Sequence, residues 1–450
     1  MEPVKRSDLR LNVENMKAES LGSQQGITSE ELEALQERVL DGHQRLMDKE
    51  GKARAFIDLP LSQRKTVEEI EELVEERRGE FKNFVLLGIG GSALGNMALF
   101  RALKPAHYNL FSDLRSGYPR LFITNNIDPE EWALLLERID PAETLFNVVS
   151  KSGSTAETMS LFMVARELVR ERVGADWSDH FIATTGQAQG PLYQLASEAG
   201  IPLLYLPEQV EGRFSVFTAV GLLSSAFVNI DIRRLLAGAE RMRQRCLDPQ
   251  LENNPAYLNA ALHYLAAKKG KKISVFMPYA HALEYTADWY RQLWAESLGK
   301  RYDRQGQEVY KGYTPVKALG ATDQHSQLQL YMEGPKDKVI TFLEVEEYRK
   351  DLQIPSSCSP QGLEHLSGHS LARLLQAEKK GTEEALTSAG RMNCTLTLPQ
   401  INEDTMGQLL YLLQLQTACA GELENINAFN QPGVELGKRL TIDLLQRDQD

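Results

Sequence analysis

This chain is poor in cysteine, histidine and long apolar runs, and each shortage removes a class of function. Its four cysteines, Cys246, Cys358, Cys394 and Cys419, are scattered, with no metal or redox spacing. That predicts free thiols and a reducing, cytoplasmic setting. No apolar stretch approaches the ~20 residues that span a bilayer. Nothing apolar follows Met1-Glu2-Pro3-Val4-Lys5-Arg6, so neither a signal peptide nor a membrane association is expected. Positive charge is short as well, with 50 Lys and Arg against 62 Asp and Glu, a formal net charge of −12. That balance argues against nucleic acid as a partner. An anionic substrate would need a local cluster of cations to hold it against the overall field. Of the eight histidines, His365 and His369 lie four apart, but Ser367 and Gly368 separate them and no zinc-protease glutamate accompanies them. They read as surface residues, and no metal is expected.

What is present has the rhythm of an α/β protein. At 450 residues, 42% hydrophobic and 25% charged, the chain has room for two or three domains with cores of their own. Residues 1–80 are charged and helical in pattern, with helix starts at Thr28-Ser29-Glu30-Glu31 and Thr66-Val67-Glu68-Glu69. Residues 81–232 alternate apolar runs over 84–87, 121–124, 145–149, 180–184 and 202–206 with helical stretches such as 129–139 and 155–168. This alternation predicts right-handed crossovers and a parallel sheet flanked by helices. Residues 233–270 form a helical connection. A second α/β domain follows over 271–402, with strands expected at 273–277, 327–331 and 339–345. Residues 403–450 are expected to form C-terminal helices that pack back on the active site. Two halves of one type suggest an old duplication.

Chemistry concentrates in a few segments. Ser150-Lys151-Ser152-Gly153-Ser154-Thr155 follows an apolar strand and opens a helix. Hydroxyls, a lysine and free helix N–H groups at such a turn suit a phosphate. The alternative is an ordinary Ser/Thr helix cap. Gly88-Ile89-Gly90-Gly91-Ser92-Ala93 loosely fits a dinucleotide fingerprint. However, the second strand ends in Ile123-Thr124-Asn125-Asn126, without the acidic residue that would bind a ribose. A tight turn that lets backbone approach a sugar phosphate, with Ser92 as a donor, is the better functional reading, and helix–strand packing is the plain one. Arg213, in Gly212-Arg213-Phe214-Ser215, sits at a helix start where a cation is unfavourable. It would stabilise a developing anion, or merely pair with Glu211. Glu296, near the end of the helix closed by Gly299, is electrostatically disfavoured there and is a candidate general base. His325 lies in the polar loop Thr322-Asp323-Gln324-His325-Ser326 and would suit proton transfer. Lys438 stands one to two turns into a helix after Pro432, where a solvated lysine is the plain reading.

Taken together, the segments from about residue 80 onward resemble the glucose-6-phosphate isomerase family. Gly212-Arg213-Phe214-Ser215 and Phe429-Asn430-Gln431-Pro432-Gly433-Val434-Glu435-Leu436-Gly437-Lys438 are similar to its two signatures, and the Ser150–Thr155 loop to the phosphate loop of sugar-isomerase (SIS) domains. The resemblance implies two SIS-type α/β domains and the reversible isomerisation of glucose 6-phosphate and fructose 6-phosphate in glycolysis and gluconeogenesis. It implies no cofactor. Gly91, Ser92, Ser150, Lys151, Ser152 and Thr155 would hold the phosphate, and Gln431 would contact the sugar. His325 would help open the ring, with Lys438 nearby. Glu296 would move a proton between C2 and C1 through a cis-enediolate that Arg213 stabilises. In the family the histidine comes from the neighbouring subunit, so a homodimer with shared active sites is implied. Glu211 stands where relatives usually carry Gly or Pro, Pro432 where many carry Trp, and Gly153-Ser154 where longer members often carry Phe-Thr.

Other readings remain. A second isomerase class, acting on mannose 6-phosphate or an aminosugar phosphate, would use a similar anchor and base. A non-catalytic phosphosugar-binding SIS module would need the phosphate loop alone, without Glu296, His325, Arg213 and Lys438. An NAD-dependent enzyme would need the acidic residue that the second strand lacks.

Overall fold

The computed structural model describes residues 8–48, 51–187, 190–357 and 360–447, so Cys358 lies outside the described residues. A short strand, β1 (Arg10–Asn12), opens the chain, and helices occupy most of the stretch up to Arg77. The first sheet contains β2 (Asn83–Leu87), β3 (Arg120–Thr124), β4 (Thr144–Ser150), β5 (Phe181–Gly186) and β6 (Leu203–Leu206). Its order is β3-β2-β4-β5-β6 and every pairing is parallel. All residues of β2 and β4 are buried, as strands covered by helices on both faces require.

After β7 (Ile273–Pro278) comes a hairpin of β8 (Lys300–Tyr302) and β9 (Glu308–Lys311), then β10 (Thr314–Lys317), β11 (Lys338–Glu347) and β12 (Asn393–Gln400). The second sheet runs β1-β12-β11-β7-β10, parallel except for the edge strand β1. With the edge strand β1 set aside, the second strand of each sheet flanks the first on one side, and the third and fourth follow on the other. The two halves therefore share one winding pattern.

Three local expectations change. The N-terminal segment is not wholly helical, because β1 pairs its Leu11 with Leu396 of β12 and covers that strand's open edge. Residues 327–331 form no strand; Leu328–Glu333 is a helix. Tyr331 reaches back one turn to donate to Gln327 Oε1 at 2.6 Å, and Leu328, Tyr331 and Met332 meet the core at helical spacing. The edge position is filled instead by β10. Thr66 does not start its helix, which begins two residues earlier and spans Arg64–Arg77, burying Val67 and Ile70. Thr28 does form a reciprocal cap with Glu31.

The helix Glu403–Leu423 is the axis of the core, with every residue from Thr405 to Leu423 buried. Its glutamines tie distant segments to it. Gln408 accepts from Leu9 N–H at 3.1 Å, and Gln414 donates to Phe214 O at 3.0 Å. Gln416 accepts from Asn259 Nδ2 at 2.9 Å. Against it lies the helix Ile232–Arg245, so close that a Cβ on Gly407 would stand 2.1 Å from Leu235 O and one on Gly238 2.0 Å from Asp404 O. Cys246, Cys394 and Cys419 are buried free thiols, and burial raises Cys394 to about 11 and Cys246 to about 12. Among the described residues, no helix is long and apolar enough to cross a membrane.

Gly407→Ala is expected to force the two central helices apart and cost about 1–3 kcal/mol. Gly381→Ala, in the helix Leu371–Ser388 with nothing within 4 Å of the new methyl, should instead gain about 0.5–1 kcal/mol. Thermal unfolding of both variants checks the contrast, and equal melting shifts would contradict it.

Candidate active site

In the first sheet the chain leaves β2 toward β3 on one side and returns to β4 on the other. The loops after β2 and β4 therefore lie at the switch point, where α/β sheets bind ligands. Both loops depend on glycine. Gly90 and Gly153 adopt φ of 56° and 66°. A Cβ on Gly91 would stand 2.3 Å from Gly212 C, one on Gly186 2.7 Å from Lys151 O, and one on Gly190 2.2 Å from Ser152 O. The Ser150–Thr155 loop is thus braced by backbone from two neighbouring segments.

Within that loop, Gly153 N–H donates to Ser150 O, and the hydroxyls of Ser150 and Thr155 share a hydrogen bond of 2.9 Å. Thr155 occupies the N-cap of the helix Ala156–Val173, yet its side chain does not cap that helix. The ordinary-cap reading therefore fails, and the first turn keeps N–H groups without a side-chain partner. Ser152 is exposed, and Ser92 is half-buried in the facing loop.

Arg213 anchors the second part of the site. It lies in the short 3-10 helix Gly212–Phe217 and is only 2% exposed. Its Nε donates to Ser297 Oγ at 2.7 Å, and one terminal nitrogen to Gln431 Oε1 at 2.9 Å. The other terminal nitrogen donates to Ala428 O at 2.6 Å and Asn430 O at 3.4 Å. The Glu296 carboxylate pairs with the guanidinium at 3.3 Å. Burial lowers the pKa of Arg213, opposed first by Glu296 and then by Glu211; the guanidinium stays charged in any case. The unfavourable helix-start charge noted in the sequence is thus met by ligands from the helix Glu284–Leu298 and from the 428–431 loop.

Two residues here escaped sequence reasoning. Gln292 donates to Glu296 Oε2 at 3.0 Å, and a Cβ on Gly90 would lie 3.0 Å from its Nε2. Its position four residues before Glu296, on the same helix face, was a readable signal. Lys300, 7% exposed, donates to Glu296 O at 2.7 Å and Ser297 O at 2.9 Å. A lysine just past a helix end is a known cap for the last carbonyls. Burial lowers Lys300 to about 8, with Arg213 adding to the shift and Glu296 opposing it.

Glu211 does not form its ion pair with Arg213. Its carboxylate lies 3.6 Å from Lys151 Nζ and so joins the two parts of the site. The structure brings Arg213, Glu296, Gln431 and Gly91 together, and links the Ser150–Thr155 loop to them through Glu211. It leaves two candidates apart. His325 ends the 3-10 helix Thr322–His325 and is exposed, with no hydrogen bond or ion pair among the described residues. Among the described residues, Lys438 pairs only with Glu435, at 2.8 Å. The helix that carries it, Glu435–Arg447, is exposed along its length rather than packed back on the site, with no residue buried and its leucines left to solvent. Among the described residues, no group of three or more His, Cys, Asp or Glu could hold a metal ion.

This arrangement has relatives. Residues 65–450 match the family model described as phosphoglucose isomerase. The chain belongs to the phosphoglucose isomerase family. A glucose-6-phosphate isomerase of Carboxydothermus hydrogenoformans is 50% identical over 394 residues, covering 87% of this chain and 85% of its own. A crystal structure of a hypothetical protein from Thermus thermophilus superposes with a TM-score of 0.82 at 37% identity, covering 97% of this chain and 99% of its own. That of a glucose-6-phosphate isomerase from Chlamydia trachomatis gives 0.75 at 25% identity, covering 92% and 78%.

In this phosphoglucose isomerase family member, Arg213→Met would leave Gln431 and two carbonyls unpaired and Glu296 without its counter-charge. The expected cost is about 3–5 kcal/mol of stability, the usual penalty for breaking a buried charge pair. Arg213→Lys should recover only part, since an ammonium cannot span the fork. Denaturant unfolding of the two variants measures this, and an unshifted midpoint in Arg213→Met would refute it.

Proposed function

We propose that this site shuttles a proton between neighbouring carbons of a sugar phosphate, with Glu296 as the base. The reaction is the interconversion of glucose 6-phosphate and fructose 6-phosphate, the activity of the family to which the chain belongs. The observation that carries the chemical assignment is the Arg213–Glu296 pair at 3.3 Å, with Gln431 on the same guanidinium.

Ser92, Ser150, Lys151, Ser152 and Thr155 hold the phosphate, with Gly91 giving backbone access and the free N–H groups of the helix Ala156–Val173 adding partial positive charge. The phosphate is remote from the reacting carbons, so its binding energy orients C1 and C2 against Glu296. Glu296 takes the proton from C2 of the aldose and returns it to C1. The enediolate between these steps carries negative charge beside Arg213, a fixed cation already desolvated. Gln431 and Gln292 hold these groups in register. His325 protonates the ring oxygen on opening, with Lys438 nearby.

The last step needs a second copy of the chain. His325 is exposed and outside the cluster. The exposed helix Glu435–Arg447 also presents Leu436, Leu440, Leu444 and Leu445 to solvent, an apolar face of the kind that another subunit covers. Both observations support a homodimer with shared sites. A reducing cytoplasm suits the three buried free thiols.

Two measurements test this reading. Purified protein should convert fructose 6-phosphate to glucose 6-phosphate in chelator-containing buffer, and Glu296→Gln should lower turnover roughly 10²–10⁴-fold. A near-normal rate would remove Glu296 from the mechanism, and phosphosugar binding without any turnover would favour a binding module. Glu296→Gln and His325→Ala chains, each impaired alone, should regain activity when co-expressed as mixed dimers. No recovery would refute the shared site.

A further inference from the structure

Glu211 is an unusual group to find between a phosphate loop and a catalytic pair. Its side chain is 16% exposed. Its carboxylate takes no hydrogen bond among the described residues, and its one ion pair, with Lys151 at 3.6 Å, is longer than a hydrogen bond. It also lies close enough to Arg213 to support that residue's charge. A carboxylate drawn largely out of water normally collects several donors, because its desolvation is costly. This one is held loosely, by the lysine that the phosphate reading assigns to the substrate.

The backbone explains how Glu211 is aimed. The next residue, Gly212, lies against Gly91, where a Cβ on Gly91 would stand 2.3 Å from Gly212 C. Glu211 O accepts from Phe214 N–H at 2.8 Å and starts the turn that buries Arg213. The position of Glu211 is therefore fixed from the Arg213 side, while Lys151 comes from the loop after β4. A phosphate dianion in that loop would claim Lys151 and stand beside the Glu211 carboxylate. Like charges at such spacing repel.

We propose that Glu211 is the internal anion of the phosphate site, holding Lys151 beside the Arg213 turn and setting the affinity for the sugar phosphate that must displace it. This rests on the phosphate reading of the Ser150–Thr155 loop. In the free protein Lys151 is kept between the phosphate end and the Arg213 end. In the complex the displaced carboxylate weakens ground-state binding, which hastens release of a product that carries the same phosphate as the substrate.

The test is a double-mutant cycle on the full-length protein, with inorganic phosphate as the probe in calorimetry and fructose 6-phosphate in kinetics. Glu211→Gln should tighten inorganic phosphate and lower KM, each by roughly 3–10-fold, the effect of one partly screened charge. A gain in affinity is not what structural damage produces. Lys151→Ala should weaken phosphate binding. In the Lys151→Ala background the effect of Glu211→Gln should shrink to under about 2-fold, because the two residues act as one pair. Unchanged or weaker phosphate binding in Glu211→Gln, with Lys151→Ala still weakened, would overturn the role of Glu211 and leave the phosphate loop standing. Unchanged binding in Lys151→Ala would overturn both.

Discussion

The buried guanidinium of Arg213 is the constraint around which the site is assembled. A cation taken out of water is costly unless its donors are met. Here they are met from two places in the chain: Ser297 and Glu296 on one helix, and Gln431 with the carbonyls of Ala428 and Asn430 in one loop. The requirement to satisfy one side chain thus brings the helix Glu284–Leu298 and the 428–431 loop to the turn at Gly212–Phe217. That turn is itself held by Gln414 of the central helix, which donates to Phe214 O.

The first sheet supplies the other half. Its strand order places the loops after β2 and β4 side by side, and glycines allow each to approach neighbouring backbone. Gly91 against Gly212 is the contact that sets the phosphate end beside the Arg213 end. The second sheet repeats the winding pattern but contributes differently. It carries the helix that presents Gln292 and Glu296, and Lys300 closes that helix by neutralising its last carbonyls. The two halves are wound alike, yet each lends the site different groups: the 150–155 loop and Arg213 from one, Gln292, Glu296 and Lys300 from the other.

Charge within the site is nearly balanced by the protein itself. Lys151 faces Glu211 at 3.6 Å, Arg213 faces Glu296 at 3.3 Å, and Lys300 donates to Glu296 O at 2.7 Å. Each carboxylate is tied to a cation, Glu296 to Arg213 and Glu211 to Lys151. Even in an acidic protein of net charge −12, a cluster that carried only cations would be easily filled by any anion. Here each cation already has an internal partner. At the surface, the leucines of Glu435–Arg447 and the His325 ring are open to solvent within one chain.

Much of this was legible before any coordinates. The strands of the first sheet, the helix cap at Thr28 and the Ser150–Thr155 loop follow from local patterns of apolar, turn and capping residues, which act over a few positions. The family could be read from short motifs kept in order, and with it the roles proposed for Arg213, Glu296 and Gln431. Other features were beyond such reading because they depend on partners far away in the chain. Residues 327–331 look like a strand until the core they pack against asks for helical spacing. Arg10–Asn12 becomes a strand only because β12, at the far end of the chain, offers an open edge. Glu211 reads as a partner of its near neighbour Arg213, yet Lys151, from the loop after β4, stands 3.6 Å away. Local sequence therefore settled the elements and the chemical types at the site. The pairing of charges, the closing of sheet edges and the place of each helix end had to wait for the packed chain, since contacts between distant segments leave no periodic trace in either one.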